Sequence, residues 1–196
     1  MITAILVAAG KSARMGNVNK LHLPFGNGTI LETVIQNLLA SKIDEIIVVT
    51  NEEGLNSRHH NNSKISHVVN HNPEFGLTSS IQIGVEKAKE SSVLLVCLAD
   101  MPLITSNDYN LLIDNYLNVK KKVIIQPFVN DKPGNPVLFS SHFREEIMSL
   151  DYPEGCKPVV KSNTAFLQKI KTTNIVYNTD IDTPENYQEV VKNWSN

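Results

Sequence analysis

Residues Ile2 to Gly16 read ITAILVAAGKSARMG, and this stretch decides the fold. Its first part, Ile2–Ala8, is apolar almost throughout and rich in branched side chains, which is typical of a strand covered on both faces of a parallel sheet. The run is too short to span a membrane. The chain then turns at Ala9 and Gly10, beyond the carboxyl end of the strand, where open α/β sheets bind their ligands.

Short segments of the same kind recur along the chain and alternate with amphipathic helical segments. The expected strands are Ile2–Ala8, Asp44–Thr50, Ile65–Asn70, Val93–Ala99, Val123–Val129 and Asn174–Tyr177, and the expected helices are Thr29–Ser41, Leu77–Lys89 and Asn107–Leu117. This alternation predicts a three-layer α/β/α sandwich around a mostly parallel sheet, formed by one domain over residues 1–196. The turn-rich stretch Lys132–Ser141 interrupts the rhythm, and we expect a strand at Val137–Ser140 on a mixed edge of the sheet.

Charge and cysteine content exclude several classes of function. Lys and Arg total 18 against 20 Asp and Glu, so the formal net charge is −2 and there is no basic footprint for nucleic acid or a membrane surface. Neither Cys97 nor Cys156 belongs to a metal-type spacing, and Cys97 lies in an apolar run where a reduced, buried thiol is expected. The N-terminus does not resemble a signal peptide, so we expect a cytoplasmic protein.

The loop after the first strand has the composition of a polyphosphate site. Small residues at Ala8, Ala9 and Gly10 let the backbone N–H groups approach an anion, and Ser12 adds a hydroxyl. Two cations follow, the forked guanidinium of Arg14 and the ammonium of Lys20. The glycine spacing fits neither a Walker A loop nor a dinucleotide fingerprint. The alternative is a plain strand-to-turn connection with unrelated surface cations.

Carboxylates at two other points suggest a divalent metal. Asp100 ends an apolar strand, and Mg²⁺ is usually held by one or two protein carboxylates together with phosphate oxygens. Asp180 and Asp182 lie two residues apart, so both point to one side if the segment is extended. The alternative for each site is helix capping, by Asp100 for the helix that follows it and by the later pair for a final helix beginning near Pro184.

The loop resembles the A-A-G-x-S-x-R-M-G signature of nucleotidyltransferases with a glycosyltransferase-A-like fold, in particular the MocA-like molybdenum cofactor cytidylyltransferases within the MobA-like NTP transferases. The resemblance covers nearly the whole chain. It implies catalytic roles for Arg14, Lys20 and Asp100, and Mg²⁺ bound by Asp100 and by Asp182, with Asp180 as the fallback. It also implies a nucleotide site and an acceptor site elsewhere. Beyond the first loop, the implied nucleotide residues are Gly76, Thr78, Ser79 and Ser80, and the implied acceptor residues are Gly134, Asn135 and Lys157.

One segment departs from the resembling family, which usually has Gly-Asp-x-Gly-Ala-Arg where this chain has Tyr152–Lys157. Gly155 is kept, whereas Lys157 replaces the arginine and loses its bidentate fork. Three readings therefore stay open. In the first, a monomer transfers CMP from CTP to molybdopterin, since Ala9 stands where the guanylyl branch typically has glycine. The second uses GTP, or a sugar phosphate as acceptor. The third is a nucleotide-binding accessory protein for a molybdoenzyme.

Overall fold

The computed structural model describes residues 1–10, 13–15, 18–52, 62–119, 121–151 and 153–194, without the side chains of Ala13 and Trp194. The strands are β1 (Ile2–Ala8), β2 (Pro24–Phe25), β3 (Gly28–Thr29), β4 (Glu45–Thr50), β5 (Ile65–Val69), β6 (Val93–Leu98), β7 (Ile124–Val129), β8 (Lys132–Pro133), β9 (Val137–Phe139) and β10 (Leu167–Thr172). The α-helices are α1 (Ile30–Leu39), α2 (Gly76–Lys87), α3 (Ser106–Val119), α4 (Arg144–Met148), α5 (Lys157–Ser162) and α6 (Pro184–Trp194).

Within the described residues the main sheet has eight strands, and seven of them follow the order β10-β7-β9-β6-β1-β4-β5. β1 lies inside the sheet and pairs in parallel with β4 on one side and β6 on the other. In that register Ala8 stands opposite Thr50, and Val7 stands opposite Leu98. The carboxyl ends of β1, β4 and β6 therefore finish side by side, at the edge where open α/β sheets bind their ligands.

The two faces of the sheet are covered by different helices, which confirms the three-layer sandwich. Neighbouring side chains of β1 point to opposite faces, as the two-residue period of a strand requires. Leu6 packs in a buried cluster with apolar residues of α1, α3 and α6. Ile5 packs in a second cluster with residues of α2, α4 and α5. Among the described residues, no helix is both long enough and apolar enough to cross a membrane.

The strand expected at Val137–Ser140 exists as β9, but its predicted position at an edge is wrong. β9 lies between β6 and β7 and is antiparallel to both. All three of its residues are buried, as a strand inside a sheet requires. The turn-rich sequence before it indicated a change of direction, whereas the choice of neighbouring strands depends on contacts between residues far apart in the chain.

The strand expected at Asn174–Tyr177 is also wrong, because the last strand of the sheet lies earlier. Residues Ile175–Asn178 form a short 3-10 helix whose first turn is capped by the Asn174 side chain, which accepts a hydrogen bond from the Val176 N–H. The edge strand β10, Leu167–Thr172, was not predicted because lysines interrupt its apolar residues. β10 pairs in parallel with β7 along its whole length.

Candidate active site

A cleft of about 340 Å³ opens at the edge of the sheet where β1 and β6 end. It brings together residues from the first loop, the end of β6 and the segment before α6. The lining residues are Val7, Ala8, Gly10, Arg14, Lys20, Leu21, Leu77, Leu98, Asp100 and Asp182. Six of these ten were selected from the sequence as nucleotide, catalytic or metal residues: Ala8, Gly10, Arg14, Lys20, Asp100 and Asp182.

Lys20 lies at the centre of the charged part of this cleft. It begins a short 3-10 turn, Lys20–His22, which the Asn19 side chain caps by accepting a hydrogen bond from the Leu21 N–H. The ammonium of Lys20 is 2.6 Å from an oxygen of Asp100 and 2.7 Å from an oxygen of Asp182, and the side chain is only 12% exposed. Burial opposes the charge, but Asp100 and Asp182 outweigh it and raise the pKa of Lys20 above its ordinary value.

Asp100 follows β6 by two residues and is fastened in place by its backbone, whose carbonyl accepts a hydrogen bond from the Ile181 N–H at 2.9 Å. One carboxylate oxygen, Oδ2, holds Lys20, while the buried oxygen Oδ1 has no hydrogen-bond partner among the described residues. Burial raises the pKa of the Asp100 carboxyl. Lys20 opposes that shift, and the charges of Asp180 and Asp182 add to it. An orphaned buried oxygen of this kind calls for a further cation or donor.

The capping roles considered for the three acids are contradicted by the structure. Thr105 and Asp108 cap the start of α3, since the Asp108 carboxylate accepts from the Thr105 N–H at 2.9 Å and the Thr105 hydroxyl accepts from the Asp108 N–H at 3.4 Å. At α6, the hydroxyl of Thr183 accepts a hydrogen bond from the Asn186 N–H at 3.2 Å. Both helices therefore begin without the carboxylates of Asp100 and Asp182.

Arg14 contacts one of these acids, Asp182, from the solvent side. Its guanidinium nitrogen Nη1 lies 2.8 Å from Asp182 Oδ2, and its side chain is 74% exposed. The pKa of Asp182 is lowered chiefly by the hydrogen bond from Lys20, with burial opposing and the positive charges of Lys20 and Arg14 assisting. The loop cations and the later carboxylates, far apart in sequence, thus form one charged network.

Three carboxylates of this network fit a divalent cation. Asp100, Asp180 and Asp182 each place an oxygen within 4.8 Å of the others. Hard carboxylate oxygens are the ligands that Mg²⁺ and similar ions take in proteins. The unpartnered Oδ1 of Asp100 is consistent with such an ion. Asp180, the fallback of the sequence prediction, lies in the cluster together with Asp182.

The small residues of the first loop divide into two groups. Ala8 and Gly10 line the cleft, and a Cβ added at Gly10 would have no atom of the described residues within 4 Å. Ala9 is only 2% exposed and belongs to the buried core, so its methyl group does not line the cleft. Ser12 lies outside the described residues.

The residues expected near the nucleobase use their side chains within the protein. The buried Asn70 amide donates to the hydroxyls of Ser79, at 3.0 Å, and Ser80, at 2.9 Å. The Thr78 hydroxyl accepts from the Gly155 N–H at 2.9 Å. Gly76 has a φ of +83°, and an added Cβ there would lie 2.7 Å from Pro153. This segment is therefore held rigidly beside the cleft, and Leu77 is the member that lines it.

The residues expected to bind the acceptor lie outside the lining of this cleft as far as the structure describes it. Gly134 and Asn135 precede β9, and the Asn135 N–H donates to the Tyr177 carbonyl at 2.8 Å. Val137 pairs with Val96 near the end of β6. Gly134 and Asn135, which precede Val137, therefore lie at the ligand-binding edge of the sheet. Lys157 is exposed at the start of α5.

Sequence reasoning missed the apolar part of the cleft and one polar support. Val7, Leu21, Leu77 and Leu98 line the cleft, but aliphatic residues at strand and helix ends carry no chemical signature. Asn70 was included in an expected strand without a role. Its position as a polar residue at the carboxyl end of a strand was the available signal.

The chain is similar to known proteins over most of its length. The model of the MobA-like NTP transferase domain matches residues 4–168. The molybdenum cofactor cytidylyltransferase of Escherichia coli (strain K12) is 30% identical over 190 residues, which are 95% of this chain and 93% of that protein. The purine catabolism protein PucB of Bacillus subtilis (strain 168) is 28% identical over 203 residues, covering 96% of this chain and 95% of that protein.

A solved nucleotidyl transferase from Methanothermobacter thermautotrophicus superposes with a TM-score of 0.82 at 19% identity, covering 100% of this chain and 98% of that one. This likeness concerns the fold, which is the glycosyltransferase-A-like fold that the first loop led us to expect. The family resemblance drawn from that loop is confirmed by the match to residues 4–168. The chain belongs to the MobA-like NTP transferase family and is a nucleotidyltransferase.

Proposed function

We propose that this enzyme transfers CMP from CTP to the phosphate of molybdopterin and releases pyrophosphate, with Mg²⁺ as the metal. The observation that carries the proposal is the meeting of Lys20 with Asp100 and Asp182 in one cleft beside the glycine loop. The choice of CTP and of molybdopterin is supported by the Escherichia coli relative, named a molybdenum cofactor cytidylyltransferase, which aligns over 95% of this chain.

The residues of the cleft suit attack by one anion on another. The acceptor phosphate oxygen would form a bond to the α-phosphorus while the bond from that phosphorus to the bridging oxygen breaks and pyrophosphate leaves. Since the attacking oxygen is already ionised, no protein group has to remove a proton from it. The protein's task is then alignment and neutralisation of charge.

Particular residues would carry these tasks. The loop backbone around Gly10, together with Arg14 and Lys20, would hold the triphosphate oxygens. Asp100, Asp182 and Asp180 would hold the metal. A bound Mg²⁺ would reduce the negative charge on the transferred phosphoryl group and orient it. Gly134, Asn135 and Lys157, at the same edge of the sheet or on the helix beyond, remain the residues proposed for the acceptor.

Two observations favour keeping a second candidate, transfer from GTP or to another phosphorylated acceptor. Ala9, the residue that favoured CTP over GTP in the sequence, is buried and does not line the cleft. The Bacillus subtilis relative, which covers as much of this chain, is named for purine catabolism.

The decisive experiment measures pyrophosphate release with each of the four nucleoside triphosphates, with and without molybdopterin, in Mg²⁺ and in chelator. We expect release that requires both molybdopterin and Mg²⁺ and is faster with CTP than with GTP by about tenfold or more, which is about 1.4 kcal/mol. Equal or faster release with GTP would contradict the assignment of CTP as the preferred nucleotide. Tight nucleotide binding without release in any mixture would instead support an accessory role for a molybdoenzyme.

A further inference from the structure

In this structure the carboxylates suited to a metal already hold a cation that belongs to the protein. The ammonium of Lys20 bridges Asp100 and Asp182 at 2.6 and 2.7 Å, and Asp180 lies within the same cluster. Arg14 contacts Oδ2 of Asp182. Among the described residues, Lys20 is thus the positive side chain that lies between two of the three clustered carboxylates.

The bridge is shielded from solvent, which strengthens the attraction between the Lys20 ammonium and the two carboxylates. The side chain of Lys20 is 12% exposed and that of Asp100 is 18% exposed, so solvent screens their attraction little. The pair Lys42–Asp114, by contrast, has both side chains about half exposed and is screened by water.

A divalent ion or a triphosphate that binds alone encounters an unfavourable electrostatic interaction in this cleft. A divalent ion has to compete with the ammonium for oxygens of Asp100 and Asp182, and like charges repel at this distance. A triphosphate without metal has to approach three carboxylates. When both arrive, the triphosphate offers new oxygens to Lys20 and Arg14, and the carboxylates are released to the metal.

We infer that Lys20 is an exchangeable internal cation that blocks the metal-binding carboxylates until a triphosphate draws its ammonium away, so that metal and nucleotide bind with positive coupling. This inference rests on the proposed function, because it assumes that the cleft receives a triphosphate and a divalent ion. Coupling between two ligands is reciprocal, so the metal strengthens nucleotide binding by the same factor.

The test measures binding of Mn²⁺ alone, from the loss of the free-ion electron paramagnetic resonance signal, with no nucleotide present. Lys20→Met removes the ammonium, and we expect Mn²⁺ to bind about 5- to 150-fold more tightly than to the parent protein, the usual range of coupling between sites. Lys20→Arg keeps the positive charge and is expected to bind Mn²⁺ as weakly as the parent. Circular dichroism melting verifies that each variant is folded.

Two controls separate occupancy of the site from a change in net charge. Arg14→Met removes one positive charge from the exposed side of the same cluster and should strengthen Mn²⁺ binding less than Lys20→Met does. Lys42→Met removes a charge from a distant ion pair and should leave Mn²⁺ binding unchanged. Equal strengthening by Lys20→Met and Arg14→Met would overturn the inference, since net charge would then explain the effect.

A second measurement uses α,β-methylene CTP in calorimetry, with Mn²⁺ and with chelator. In the parent protein Mn²⁺ should strengthen binding of this analogue, and in Lys20→Met the gain should be smaller. Identical Mn²⁺ constants for the parent and Lys20→Met would also overturn the inference. The proposed function would then still stand if the parent releases pyrophosphate, and it would fail separately if the parent releases none.

Discussion

Two regions at the same edge of the sheet contain polar residues that sequence reasoning selected, and they differ in what their polar groups contact. At the ends of β1 and β6, Lys20, Asp100 and Asp182 hold one another, and an oxygen of Asp100 has no partner among the described residues. At the end of β5, Asn70 donates to Ser79 and Ser80 inside the protein. The first region can exchange its partners for a ligand, whereas the second is a rigid support. Polarity at a strand end therefore predicts a ligand contact only when the fold leaves the group unsatisfied.

The largest expected effect comes from Asp100→Asn in the first region. An amide is a poorer metal ligand and carries no charge, so we expect pyrophosphate release to fall by roughly a hundredfold or more, about 3 kcal/mol of transition-state stabilisation. Initial rates at limiting Mg²⁺ measure this. Asp114→Asn, in the exposed pair with Lys42, is the control and should retain the parent rate. A parent-like rate for Asp100→Asn would place the metal elsewhere.

Each region contains one glycine whose substitution by alanine can be compared with the other, and both substitutions should have smaller effects than Asp100→Asn. Gly76 has a φ of +83°, and a Cβ there would lie 2.8 Å from the Pro153 carbonyl oxygen, so Gly76→Ala should lower the free energy of unfolding by roughly 2 kcal/mol or more. A Cβ at Gly10 would meet no described atom within 4 Å, so Gly10→Ala should change the free energy of unfolding by less than about 0.5 kcal/mol. Urea unfolding measures both.

The order of the two effects should reverse for nucleotide binding, where Gly10→Ala should have the larger effect. A methyl group at Gly10 lies where the backbone would approach a triphosphate, so Gly10→Ala should weaken nucleotide binding while leaving stability almost unchanged. If Gly10→Ala binds nucleotide like the parent, the loop backbone is not the phosphate site. If Gly76→Ala is as stable as the parent, the second region is not rigid.

The substitution Asn70→Ala tests the support role directly. Its removal leaves Ser79 and the buried Ser80 without their donor, which should lower the free energy of unfolding by about 1–3 kcal/mol. Binding of Mn²⁺ alone should not change, because the metal carboxylates lie in the other region. Ser79→Ala, at the less buried of the two hydroxyls, should lower stability less. An unchanged unfolding midpoint for Asn70→Ala would contradict the proposed support.

Much of the architecture was predictable because it depends on local patterns. β1, β4, β6 and β7 are apolar runs whose burial on both faces shows in their composition. The capping box of Thr29 and Glu32 indicates the start of helix α1. Prediction was wrong for the edge strand near the C-terminus, where β10 alternates lysine with apolar residues and is stabilised by pairing with β7.

By itself, the sequence determined the class of fold, the glycine loop with its two cations, and the carboxylates that end up in the cleft. These features follow from side-chain chemistry at strand ends, where a parallel sheet gathers its loops. Only the tertiary structure decided which of the selected residues meet. It placed Lys20 between Asp100 and Asp182, across 80 and 162 residues of chain, and it buried Ala9 and occupied the hydroxyls of Thr78 and Ser80. The physical reason is that burial and hydrogen-bond partners are properties of packing between distant segments, which local sequence does not specify.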